Sequence, residues 1–204
     1  MSGKYIEDVK SYKVRRYDIV FTGSNMDSEK IYSEVLTCTD ERKIWLFENV
    51  VMIMKKDVSL TIQEALEIVL CGIELTVSDK EFHDLMCNLR EVDYYMRAWI
   101  REQVVRAIVD AGYKIHIFGN GWDTFECKHP ENIIQMQGFG DDSLKVLADA
   151  KIALNVMPWF RGGFQERIAS AMLCGAISLT DTSTYIEDNF TDGEDILIYD
   201  ALQP

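Results

Sequence analysis

Prolines are scarce: Pro130, Pro158 and Pro204 are the only three in 204 residues, so long helices and unbroken strand ladders are permitted over most of the chain. Five cysteines stand at Cys38, Cys71, Cys87, Cys127 and Cys174, with no C-x-x-C pair. That odd count without metal-ligand spacing excludes a disulfide framework and a zinc site, and no metal ligands are expected. Positive charge is short as well, 21 basic against 34 acidic side chains leaving −13. Such a chain gains nothing by releasing the counterions of a phosphate backbone, which argues against a nucleic-acid partner. No apolar run approaches the length of a membrane span, and MSGKYIEDVK lacks the apolar stretch of a secretory leader. A cytoplasmic protein is the expectation.

What the chain does have is apolar surface. Hydrophobic residues make up 48% and aromatics 11%, enough to offset the entropy of ordering a globular fold. Residues 1–16, with five basic and two acidic side chains, read as a solvated lead-in or linker stub. Tyr17–Ser24 is a buried strand closed by glycine. From about residue 30 to 111 the pattern is helical. Thr61 with Glu64 and Ser78 with Glu81 form capping boxes, and the apolar series from Phe82 to Ile108 predicts one long helix stopped at Gly112. Five further apolar runs follow, at 113–119, 132–138, 151–157, 175–181 and 195–200, with short amphipathic helices at 141–150 and 164–175. Near-continuous strands separated by helices predict an α/β fold: a Rossmann-like, doubly wound parallel sheet of about six strands. The helical stretch is then a large insertion between the first and second strands, and 17–204 is a single domain.

In such a sheet ligands bind beyond the carboxyl ends of the strands. Three loops there are rich in glycine: Gly23-Ser24, Gly119-Asn120-Gly121-Trp122, and Pro158 to Phe164. The last is the most informative, because Arg161 and Arg167 are the only cations after Lys151 and they bracket Gly162-Gly163 at the start of a helix. Guanidinium groups give phosphate paired donors, and glycine lets backbone amides approach it. Pairing of Arg167 with Glu166 or another carboxylate is the competing reading. Gly119-x-Gly121 lacks the third glycine of a dinucleotide fingerprint. There is no G-x-x-x-x-G-K-[ST], no D-x-D pair and no G-x-S-x-G around Ser170.

Residues 162–200 are similar to the donor-binding half of GT-B glycosyltransferases of the group 1 type, most closely to the spore-maturation (CgeB-like) branch. The resemblance rests on Arg167, the Ala171–Ala176 stretch, Thr180-Asp181, Asp192-Gly193-Glu194 and Tyr199-Asp200, and extends loosely back to the GNGW turn and the first strand. It implies transfer of a sugar from a nucleotide-diphosphate donor to an acceptor hydroxyl. The diphosphate-binding loop would fall on Gly162, Gly163 and the start of the following helix, with Arg167 near the phosphates as the catalytic group and Phe164, Gln165 and Glu166 as further donor-site residues, and Gly23 would be the turn after the first strand. No cofactor or divalent ion is obligatory. Where related enzymes carry a ribose-binding glutamate this chain has Ser170, with Glu166 one helical turn earlier as the substitute. The resemblance also implies an acceptor-binding N-terminal domain that one sheet does not supply, so the chain reads as a donor-binding half, inactive alone. A non-catalytic interaction module that has lost donor binding and a different phosphate-ligand enzyme on the same architecture are the alternatives.

Overall fold

Six apolar runs form strands, and each pair of neighbours runs parallel. The computed structural model describes residues 9–136 and 143–200. The strands are β1 (Tyr17–Phe21), β2 (Ile115–Phe118), β3 (Ile133–Met136), β4 (Ala150–Leu154), β5 (Ile177–Thr180) and β6 (Leu197–Ile198), in the spatial order β3-β2-β1-β4-β5-β6. β1 pairs with β2 on one side and β4 on the other. The order therefore reverses at β1, and the carboxyl ends of β1 and β4 flank the crevice that a Rossmann-like sheet opens at its switch point. The end of the run expected at 132–138 and the start of the helix expected at 141–150 lie outside the described residues, as do residues 1–8 of the lead-in.

Among the described residues eight α-helices accompany the strands: α1 (Ser28–Leu36), α2 (Glu41–Lys56), α3 (Ile62–Gly72), α4 (Asp79–Cys87), α5 (Arg90–Asp110), α6 (Ser143–Ala148), α7 (Glu166–Leu173) and α8 (Thr184–Asn189). Among the described residues none is long and apolar enough to cross a membrane. The expected long helix is two. Asn88 ends α4, its amide reaching the carbonyls of Leu85 and Met86, while its carboxamide donates to the Asp84 carbonyl at 2.9 Å. An asparagine that satisfies backbone groups locally competes with the helical ladder, and the apolar periodicity does not register that competition. α8 was not apparent from the sequence: Ser183 caps it by accepting from the Ile186 amide, without the glutamate that would complete a capping box.

The chain forms two compact units, one of Met1–Asn25 with Arg101–Pro204 and one of Met26–Ile100. In the first, α6 and α7 cover one face of the sheet. Val20, Phe118 and Ala153 of the strands meet Leu147, Ala148, Ala171 and Cys174 there, the small side chains allowing close helix-to-sheet approach. Residues 10–16, which their charge assigns to solvent, are tied down instead. Arg15 is buried, donating to the carbonyls of Ala150 at 2.7 Å and Gly175 at 2.5 Å, and Lys10 and Arg16 both pair with Asp149. The basic cluster neutralises a buried carboxylate and caps carbonyls, which a charge count cannot foresee. In the second unit, Phe47 and Tyr95 meet edge to face at 5.6 Å. Lys55 lies over the rings of Tyr95 and Trp99 and donates to the Tyr95 hydroxyl at 2.6 Å; its partial burial lowers its pKa. A cavity of about 520 Å³ beside it is lined by Glu29, Tyr32, Glu48 and Lys55, whose polar groups bond within the unit, Tyr32 to Glu48 and Lys55 to Tyr95.

Candidate functional site

The first two glycine loops clasp each other at the carboxyl ends of β1 and β2. The Asn25 amide donates to the Asn120 carbonyl at 2.9 Å, and the Asn120 amide to the Ser24 hydroxyl at 3.1 Å. The buried Trp122 indole donates to the Gly23 carbonyl at 2.8 Å. A Cβ at residue 119 would stand 2.3 Å from the Gly23 carbonyl oxygen, and one at 121, where φ is +81°, would stand 2.4 Å from that of Asn25. Glycine is required at both positions by one backbone crossing another. Arg101 adds a bond from Nη1 to the Ser24 carbonyl at 3.3 Å.

The third loop leaves β4 at Asn155 and runs to Gln165. Trp159 sits at φ 48°, a left-handed conformation rare for a bulky side chain and a mark of functional or over-determined sites. The loop is fastened by its carbonyls to the start of α8. Arg161 accepts from the Thr184 amide and hydroxyl at 2.9 Å each, and Gly163 accepts from the Ser183 hydroxyl. Phe164 stacks on Tyr185 at 5.2 Å. Gly163 faces the Phe160 ring, whereas a Cβ on Gly162 would meet nothing within 4 Å. No contact among the described residues therefore requires glycine at 162. Gln165 is the N-cap residue of α7 and makes no side-chain capping bond.

Arg167 occupies the first turn of α7, half-buried. Its guanidinium carbon lies 6.0 Å from the centre of the Phe21 ring at the end of β1, and its Nη1 is 3.4 Å from the Asn155 Oδ1 just past β4. The group thus stands at the mouth of the switch point, and burial lowers its pKa from the ordinary value. It makes no ion pair with Glu166 among the described residues. Glu166 instead accepts the hydroxyl of the buried Ser170 at 2.5 Å, one helical turn along the same helix.

Sequence reasoning missed the polar groups beneath Arg167. Asn155, Thr180 and Asp181 are buried. The Asn155 Nδ2 donates to Thr180 Oγ1 at 3.0 Å, the Thr180 hydroxyl to Asp181 Oδ1 at 3.1 Å, and the Met157 amide to both Asp181 oxygens at 3.0 Å. Tyr199 donates to the Asn155 carbonyl at 3.0 Å. Desolvation pushes the Asp181 pKa up to about 6, against the downward pull of the Met157 and Thr180 bonds, and raises that of Tyr199 as well. An asparagine inside the apolar run KIALNVM was the available signal, since a polar residue in a buried strand must find partners. Among the described residues no group of three or more His, Cys, Asp or Glu side chains is placed to hold a metal ion.

A family model described as glycosyl transferase-like matches residues 90–203, 114 of the 204 residues. No curated protein matches the chain.

Proposed function

Because the chain belongs to the glycosyl transferase-like family, we propose that its sheet rim binds a nucleotide-diphosphate sugar as the donor for transfer to an acceptor hydroxyl. In the finer classification we read it as the donor-binding domain of a GT-B enzyme of the CgeB-like branch. The observation that carries the reading is Arg167, a half-buried guanidinium at the crevice between β1 and β4, with no carboxylate paired to it among the described residues. Gly162, whose missing Cβ serves no contact among the described residues, and the first turn of α7, uncapped by a side chain, supply backbone amides beside it.

The chemistry follows from charge. As the acceptor hydroxyl oxygen bonds to the anomeric carbon and passes its proton to water or to the departing diphosphate, the bond from that carbon to the β-phosphate oxygen breaks and its electron pair goes to the diphosphate. A guanidinium fixed beside the leaving group stabilises that charge as it grows, in a crevice where solvent screens it less than in water. Arg167 is the catalytic residue of this account. Arg161, Gly163, Phe164, Gln165, Glu166 and Ser170 are the further donor-site residues of this reading, and the clasp of Gly23-Ser24 with Gly119–Trp122 is its neighbouring rim.

Calorimetric titration with ADP, GDP and UDP tests the reading. At least one should bind, Arg167→Ala should abolish the heat, and Lys114→Ala, an exposed cation preceding β2, should leave it unchanged. Absence of binding by all three would favour a non-catalytic module.

A further inference from the structure

We propose that Asp181 is a positioning residue for Arg167, acting through a one-way relay of buried hydrogen bonds that passes through Thr180 and Asn155. The inference deepens the donor-site reading and rests on it for its purpose, but the relay itself is a matter of geometry. A guanidinium only donates, so the Asn155 oxygen at 3.4 Å from Arg167 must be the acceptor, and the carboxamide nitrogen must face Thr180 at 3.0 Å. The Thr180 hydroxyl, having accepted there, has one proton left, and it points at the Asp181 carboxylate 3.1 Å away. The carboxylate accepts only. Each bond therefore fixes the sense of the next, and a chain aligned in this way strengthens its members mutually in a low-dielectric interior.

Burial makes the relay specific. Thr180 is 0% exposed, Asn155 1% and Asp181 7%, so water cannot substitute for a missing partner. A buried carboxylate is expensive to keep, and among the described residues Asp181 makes no ion pair. The titratable groups that meet this network are Arg167 on α7, on which the Glu166 carboxylate acts from the same helix, and Tyr199 just after β6, while the loop after β4 presents the Met157 amide. That amide is the second half of the device. By holding the Met157 amide, Asp181 also pins the Val156–Met157 peptide of the loop that carries Gly162, so one carboxylate sets both the guanidinium and the loop.

The test uses the full chain labelled with ¹⁵N-methionine and ¹⁵N-arginine. Met157→Leu assigns the Met157 amide and Arg167→Lys assigns the Arg167 side-chain signal. Both signals should titrate with one midpoint, near pH 6. Thr180→Val should leave Met157 titrating and silence Arg167, Thr180→Ser should restore it, and Asp181→Asn should silence both. At pH 7.5 Thr180→Val and Asp181→Asn should bind nucleoside diphosphate about tenfold more weakly than wild type, as expected for one misdirected charge-assisted bond. The ratio of wild-type to variant affinity should fall towards one below pH 6, a ratio that cancels protonation of the ligand itself. An Arg167 signal that ignores pH, or follows a midpoint different from that of Met157, overturns the relay even if the Thr180 and Asp181 variants fail to fold. Wild-type titrations that coincide while no nucleoside diphosphate binds would support the relay and overturn the donor reading.

Discussion

Arg167 and Asp181 carry opposite charges at the same rim, and burial affects both. For Arg167, partial burial leaves a cation whose one side-chain hydrogen bond among the described residues goes to Asn155, and a shape-matched pair of hydrogen bonds to phosphate is what lysine cannot reproduce. Arg167→Lys should therefore bind the tightest nucleoside diphosphate about tenfold more weakly than wild type, or worse, by calorimetry. For Asp181 the effect is on folding. Its folded-state pKa, about 6, lies above the roughly 3.9 of an unfolded aspartate, so the folded state holds the proton more tightly. Its contribution to stability is complete below about pH 4, declines as pH rises to about 6, and is flat above that. The lost amount is on the order of 3 kcal/mol. Other carboxylates titrate in the same window, so the informative quantity is a difference. In urea unfolding, Asp181→Asn should gain on wild type by about that amount between pH 4 and pH 7, and a difference independent of pH would contradict the burial account.

At the scale of elements the glycine loops separate into two kinds. Gly119 is fixed by a carbonyl 2.3 Å from where its Cβ would stand. Gly119→Ala should force the two loops apart and cost roughly 1–3 kcal/mol in denaturant unfolding. Gly162→Ala meets open space, and should leave the melting temperature unchanged while weakening nucleoside diphosphate binding. Unchanged binding in Gly162→Ala would remove that residue from the site. The sequence could not distinguish the two kinds, because composition and spacing identify a glycine-rich turn but not what approaches it. The strands were legible for a simpler reason. A parallel strand covered on both faces must be apolar almost throughout, so KIALNVM and GAISLTD announce themselves. The break at Asn88 was not legible because it depends on where one carboxamide turns, and the docking of residues 10–16 depended on Asp149, more than a hundred residues away. Arg167 could be found as an isolated cation beside glycines, but its support from Asn155 could not, because that bond exists only after β4 and α7 are side by side.

The whole molecule carries −13, and its last 29 residues hold seven acidic and no basic side chains. A diphosphate approaching such a surface is repelled at long range and attracted only at the rim, and salt screens the repulsion over distances of about 10 Å at 0.1 M. The association rate for a nucleoside diphosphate should accordingly rise between 10 and 150 mM salt, by stopped-flow fluorescence, where a basic site would show a fall. A falling rate would mean that the rim is electrostatically dominated by its two arginines rather than by the chain's net charge. The most direct measurement is a crystal structure of the chain with a nucleoside diphosphate bound. The account predicts the β-phosphate within roughly 3.2 Å of the Arg167 guanidinium, between the Gly162 loop and the end of β1. A diphosphate seated elsewhere, with Arg167 still bonded only to Asn155, would contradict it.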